Sequence, residues 1–315
     1  MKLKTLIAQY VAFRKSMGEE CASAESVLKT FGRRLGAEID LQDVRVEQVQ
    51  AFLAGTGPVT HYWRRKYDTV RGLYRYATRR GLIAEAPLPR TVPKLPEHFV
   101  PYIYSREELH RLLTATASVP KAPRKLEPHT LRTIVLLLYG AGLRVSEAVA
   151  LTLDDVDLSG AVITIRDTKF HKTRMLPLGP KLNQVMLQYL ARRDAAGHPQ
   201  SRAAPFFVLR RGGPVPVPLL EQRFRCLCEH AGVTRTDGAR YQPRLHDLRH
   251  SFSVHRLTAW YQQGADVQTL LPQLATYLGH VTLAATQVYL TVTPELLHAA
   301  SVRFERYAFP EVPHA

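Results

Sequence analysis

Five prolines within fifteen residues, Pro87, Pro89, Pro93, Pro96 and Pro101, constrain this chain more than any other feature. Proline lacks a backbone N–H and fixes φ near −65°, so the stretch cannot carry a helix and favours extended backbone. It splits the chain into two parts, each of which has to bury its own core. With 315 residues there is room for both, since domains usually run about 100 to 200 residues. The expected organisation is a helical domain over 1–86, a proline-rich linker over 87–104 and a larger domain over 105–315.

Before the prolines, apolar residues recur at helical spacing over 3–17, 23–36 and 46–54, for example Leu3, Leu6, Tyr10 and Phe13. Gly36, Gly55 and Gly57 punctuate them. A fourth segment from Thr60 to Arg80 is the most informative. Trp63, Tyr67, Val70, Tyr74 and Ala77 form one apolar seam, while Arg64, Arg71, Arg75 and Arg79 fall on the other side with Arg65. Asp68 is the only acid of that face. A helix of this length spans about 30 Å, enough to lie along a DNA groove or backbone. An ordinary amphipathic helix with a solvated basic face has the same pattern.

Charge favours the first reading. A formal net charge of +16 and a pI near 10.0 exceed what solubility requires, and the usual partner of such a surplus is a polyanion, most often nucleic acid. The competing partner is an anionic membrane, but no apolar run approaches the roughly 20 residues that span a bilayer. The N-terminal run meets Gln9, Arg14 and Lys15 too early for a signal peptide, so a cytoplasmic, nucleoid-associated protein is expected. Cys21, Cys226 and Cys228 have no C-x-x-C spacing, which supports neither a disulfide framework nor a zinc ribbon and suggests buried, inert thiols.

Beyond the prolines, Ser105 and Glu108 form a capping-box pair at a helix start. An apolar helix follows over 130–139, stopped by Gly140 and Gly142, and Arg144 stands where the next helix begins. Residues 161–165 and 174–178 alternate as short strands around Lys169-Phe170-His171-Lys172, a hairpin with cations at its tip. Further helices are expected at about 180–193, 218–231, 245–263, 267–278, 283–290 and 294–307. The fold class is mainly α: a helical domain plus an α-rich domain with a small antiparallel sheet.

His246, Arg249 and His250 stand at i, i+3 and i+4 and share one helix face, with Leu248 and Phe252 toward the core. Alone they could be a solvated basic face. Together with Arg144, Lys169, His280 and Tyr289 they suit one substrate. A phosphodiester under attack gathers negative charge on its non-bridging oxygens, which paired guanidiniums bind through forked donors. No acidic cluster of metal-ligand type accompanies the set, so metal-free phosphoryl transfer without a cofactor is expected. A tyrosine has a reference pKa of about 10, so only about one part in a thousand is phenolate at neutral pH unless cations or a base assist. His246, His280 and the arginines could assist, and Lys169 could protonate the departing oxygen.

In order and spacing, Gly142-Leu143-Arg144-Val145-Ser146-Glu147-Ala148, the hairpin lysine, His246-Asp247-Leu248-Arg249-His250, Leu278-Gly279-His280 and Tyr289 resemble the tyrosine recombinase (phage integrase) family. The N-terminal region, through Val70 to Ala77, resembles that family's core-binding domain. The resemblance implies that Tyr289 attacks a DNA phosphate to give a 3′-phosphotyrosyl intermediate and a free 5′-hydroxyl. Arg144 and Arg249 would clamp the phosphate, His280 would assist, His246 would act as acid or base, and Lys169 would be the general acid. It further implies a homotetramer holding two DNA duplexes, with residues 294–307 packing on a neighbouring protomer. The hairpin lacks the family's glycines, so Lys172 is an alternative to Lys169 and otherwise a DNA contact. A longer chain between His250 and His280 points to the recombinases or transposases of mobile elements. The alternatives are a type IB topoisomerase-like activity and a catalytically silent DNA-binding protein; a zinc hydrolase built on His246 and His250 lacks a third ligand.

Overall fold

The computed structural model describes all residues except 20, 37, 56, 58, 96–99, 120–125, 167–172, 240, 281, 283, 288, 290–297, 299, 300, 303 and 305–315. It divides into two compact units, Met1–Phe99 and Val100–Ala315.

In the first unit α1 (Leu3–Ser16), α2 (Ala22–Leu35), α3 (Val46–Ala54) and α4 (His61–Arg79) surround one core. The seam of α4 is buried throughout, and Arg65, Arg71, Arg75 and Arg79 are exposed. Gly72 lets α1 approach α4, because a Cβ there would stand 2.6 Å from the Tyr10 hydroxyl. Lys66 departs from the basic-face pattern. It is buried, and its ammonium donates to the carbonyls of Phe52 and Leu53 at 2.7 Å each. Those oxygens belong to the last turn of α3, which has no intrahelical donors left for them. Leu88 and Val92 of the proline-rich stretch also pack on this core.

Near the start of the second unit Tyr104 is fully buried, and its backbone N–H donates to Ser251 Oγ at 2.9 Å. The Ser105–Glu108 capping box forms in both directions and starts α5 (Arg106–Ala115). α6 (Pro128–Gly140) is packed by α5, α7 (Val145–Ala150), α8 (Pro180–Ala195), α9 (Val217–His230) and α10 (Leu245–Gln262), which explains why it is apolar on nearly every side. Gly140 is its last residue. The chain turns at Gly142, whose φ of +61° lies in the left-handed region.

β1 (Val156–Asp157), β2 (Val162–Ile165) and β3 (Arg174–Pro177) form an antiparallel sheet in that order, β1 being a strand that sequence periodicity did not suggest. Ile163 pairs with Leu176 and Ile165 with Arg174, so one face of the hairpin lies inward. α11 (Val267–Leu278) and the short α12 (Ala284–Gln287) complete the described elements, the latter covering only part of the expected 283–290 helix. Phe252, Leu257, Leu271, Leu274, Leu278 and Tyr289 make a second cluster between α10 and α11. Of the helix expected over 294–307, only His298, Ser301, Val302 and Phe304 lie among the described residues. Cys21 and Cys228 are buried, but Cys226 is partly exposed, contrary to expectation. No described helix is long and apolar enough to cross a membrane. The chain is thus mainly helical with a small antiparallel sheet, as the sequence suggested.

Candidate active site

The site is assembled where helices begin and end: the first turns of α10, the turn from α6 into α7, and the C-terminus of α11. At the start of α10 the Asp247 carboxylate accepts from the backbone N–H and from Nη2 of the N-cap residue Arg244, both at 2.9 Å. This fixes the face that carries His246, Arg249 and His250. Arg249 is not solvated but buried, with 2% of its surface exposed. Nη1 donates to the Gly142 carbonyl at 2.7 Å and Nη2 to the Leu278 carbonyl at 2.6 Å. The second acceptor closes α11, where the helix dipole favours a cation. Burial, then the nearby Arg144, pull its pKa down to about 10.

Arg144 is the N-cap of α7. Its Nη1 donates to Glu147 Oε1 at 2.7 Å, its backbone N–H to Glu147 Oε2 at 3.0 Å and its Nη2 to the Gly279 carbonyl at 2.9 Å. Arg174, on β3, grips the same carboxylate through both terminal nitrogens. Burial alone would raise the pKa of Glu147, but the bonds from Arg174 and Arg144 hold it down at about 2. Gly279, with φ of +69°, ends α11 in the left-handed conformation and projects His280 from the turn.

The His280 Nδ1 lies 2.6 Å from Thr286 Oγ1, and its ring centroid 6.1 Å from that of Tyr289. The His250 ring lies 5.4 Å from Tyr289 and 4.9 Å from His246. All three imidazoles are driven toward the neutral form, first by burial and then by surrounding cations: His280 to about 4, His250 to about 3, and His246 in the same direction. Tyr289 is buried; desolvation raises its pKa, opposed by the Arg249 charge and by hydrogen bonds with Ser253 and Arg249.

Arg144, His246, Arg249, His280 and Tyr289 are therefore brought together by the fold. Lys169 and Lys172 lie outside the described residues. Arg65, Arg71, Arg75 and Arg79 line the exposed side of α4 in the first unit, and Arg64 pairs with Asp68 at 3.0 Å. Sequence reasoning missed Glu147, Arg174, Ser253 and Thr286 as parts of the site. Two left a signal: Glu147 has the N3 spacing of a capping box from Arg144, and Arg174 shares the inward face of β3 with Leu176. Among the described residues no group of three or more His, Cys, Asp and Glu side chains could hold a metal ion.

A helical unit followed by an α-rich unit with a three-stranded sheet, and a buried tyrosine beside two arginines and three histidines, define the architecture of tyrosine recombinases. Residues 104–295 match the phage integrase family, and the chain belongs to it. It is 34% identical over 303 residues to the putative integrase/recombinase y4rB of Sinorhizobium fredii, covering 95% of this chain and 96% of that one. Tyrosine recombinase XerD of Caulobacter vibrioides is 29% identical over 91% of this chain and 92% of its own. Among solved structures, the Tn1549 transposon integrase in complex with transposon right end DNA superposes with a TM-score of 0.70 at 16% identity, covering 98% of this chain and 100% of that one. A lambda integrase dimer bound to a core site gives 0.65 at 16% identity over 93% and 78%.

Proposed function

We propose that this protein is a site-specific DNA recombinase of a mobile element, which cleaves and rejoins double-stranded DNA through a 3′-phosphotyrosyl intermediate, without metal or cofactor, in the cytoplasm. The observation that carries the reading is the buried phenol of Tyr289 ringed by His250 and His280, with His246 against His250 and with Arg249 and Arg144 held to the adjoining carbonyls of Leu278 and Gly279. Cationic and proton-carrying groups gathered in a desolvated site are costly unless an anion joins them. A phosphodiester is the anion whose charge matches two forked guanidiniums.

In the proposed reaction the Tyr289 oxygen attacks phosphorus while its proton passes to a neutral imidazole, for which His246 is the candidate, with His280 assisting. The bond from phosphorus to the 5′ oxygen breaks, and Lys169 delivers a proton to that oxygen. Arg144 and Arg249 hold the non-bridging oxygens, whose charge grows in the transition state. The ester conserves the energy of the broken bond, so attack by a 5′-hydroxyl from the partner strand reseals DNA without ATP. The exposed arginines of α4, Arg65, Arg71, Arg75 and Arg79 with Arg64, would track the phosphate backbone.

Strand exchange between two sites calls for four protomers on two duplexes. An apolar cavity of about 730 Å³, lined by Leu182, Phe252, Trp260, Leu274 and Tyr277, would take the 294–307 segment of a neighbour, whose Leu296, Leu297, Val302 and Phe304 match it in character. A chain truncated before residue 294 should then shift a single duplex in a gel but fail to pair two.

The decisive experiment is to denature cells expressing the protein beside its native flanking DNA, recover covalently attached DNA and sequence the attachment points, with Tyr289→Phe as control. Discrete points lost in Tyr289→Phe, which should still bind DNA, support the reading. Tight DNA binding by the wild type without any adduct would refute it in favour of a silent DNA-binding protein. Arg144→Ala and Arg249→Ala should each slow cleavage by about 10² to 10³, as loss of one donor to a developing oxyanion does. A rate within a few-fold of wild type would remove that arginine from the clamp.

A further inference from the structure

We infer that Arg174 is a positioning residue, which sets Arg144 and His280 by holding Glu147 and the C-terminus of α11 together; the inference rests on the phosphate clamp proposed above. Arg174 opens β3 and shares the inward face of Leu176, while Met175 between them points outward. Its side chain is only 12% exposed. Nη1 and Nη2 donate to the two oxygens of Glu147 at 3.1 and 2.7 Å, a forked pair that lysine cannot reproduce. Nε donates to the Tyr277 carbonyl in the last turn of α11 at 3.1 Å.

Two consequences reach Arg144 and His280. The Glu147 oxygens that take Arg174 are the same two that take the Arg144 side chain and backbone, so the carboxylate has a single orientation in which both arginines are satisfied. On the other side the Arg174 guanidinium lies against Gly279: a Cβ there would come 2.9 Å from Nη1 and 3.1 Å from Cζ. The Gly279 carbonyl is the second acceptor of Arg144, and the next residue is His280. Arg174 thus fixes, from outside the reacting atoms, the carboxylate and the turn between which Arg144 is stretched. Without it Glu147, itself buried, would lose one of its two guanidinium partners and would draw on Arg144 instead.

The test uses the duplex recovered by adduct mapping, synthesised with an ordinary phosphate, a neutral methylphosphonate or a 5′-bridging sulfur at the attacked position. A methylphosphonate lacks the charge that the clamp neutralises, so the penalty for a misplaced Arg144 should shrink on it. Arg174→Gln and Arg174→Lys should bind the duplex as wild type does and cleave the phosphate about 10 to 100-fold more slowly, as a misplacement of up to an ångström at a reacting centre does. Relative to wild type on the methylphosphonate, both should recover to within about threefold, alongside Arg144→Ala, since the oxyanion charge is gone. A deficit that stays the same on the methylphosphonate while Arg144→Ala recovers would overturn the inference and leave the clamp intact. Recovery on the sulfur duplex alone would also overturn it, assigning Arg174 to the lysine hairpin. Loss of the cooperative melt in both variants would make the residue purely structural and sink the idea. Failure of Arg144→Ala itself to recover would instead count against the clamp.

Discussion

Replacing Gly142 by alanine tests the construction of the site without touching a charged group. At φ of +61° the backbone conformation costs an L-residue about 1–2 kcal/mol. The new methyl has nowhere to go: it would stand 2.5 Å from Phe252 Cδ1, 2.9 Å from Cε1 and 3.1 Å from Leu278 Cδ2. Phe252 is buried and stacks on Tyr277 with centroids 5.8 Å apart, so its ring cannot swing aside without unstacking. Overpacking of this kind adds about 1–3 kcal/mol. The total of about 2–5 kcal/mol is a large share of the roughly 5–15 kcal/mol that holds a domain folded. For a unit of this size it corresponds to a loss of roughly 4–20 °C in Tm. The assay is a thermal melt followed by circular dichroism, with Gly213→Ala as comparison, since nothing lies within 4 Å of a Cβ at Gly213. A Tm of Gly142→Ala within about 1 °C of wild type, or an equal fall for Gly213→Ala, would refute the account of this turn, given how steeply Tm follows such energies.

Acid should weaken the second unit. His250 and His280 titrate near 3 and 4 when folded against 6.5 for a free imidazole, and Glu147 near 2 against 4.5. The unfolded chain therefore binds more protons in these windows: the histidine contribution is complete above pH 6.5 and is lost on descending toward 4 and 3, and that of Glu147 is lost between 4.5 and 2. A Tm that stays level between neutral pH and pH 4.5 would contradict this, and His250→Gln should flatten the decline. Substituting Arg71, Arg75 and Arg79 together by alanine should reduce the slope of log K against log salt by about 0.9 for each phosphate no longer neutralised, measured by titrating a labelled duplex. An unchanged slope would take α4 out of the DNA interface. If Lys169 is the general acid, a 5′-bridging sulfur leaving group, which needs no proton, should restore cleavage by Lys169→Ala; restoration of Lys172→Ala in its place would transfer the role.

The helices were legible because their cores are periodic. The 4, 3, 4, 3 seam of α4 determines which side is buried, and the structure buries every member of it. Lys66 escaped because a lysine reads as surface. Only the three-dimensional approach of α4 to the end of α3 supplies the two carbonyls that make its burial tolerable. Arg174 escaped for a related reason, although the period of two that turns Leu176 inward also turns Arg174 inward, while apolar Met175 is left 67% exposed. On a strand this short, residue character misleads where alternation does not.

The candidate site was legible as a set of residue types but not as a structure, because what holds it together is non-local. Arg249 reaches carbonyls 107 residues upstream and 29 downstream, and Arg144 one that is 135 residues away. No spacing rule encodes such pairings. What the sequence does carry is the pair of glycines that release these carbonyls, Gly142 and Gly279, both left-handed and both pressed against a side chain that leaves no room for a Cβ. A helix end normally gives its last carbonyls to water. Here the two turns aim theirs at arginines, so that Arg249 is oriented by backbone carbonyls and Arg144 by a carbonyl together with Glu147. Acceptors without full charge hold the cations in place yet leave most of the positive potential uncompensated, and that potential is what an incoming phosphodiester would meet.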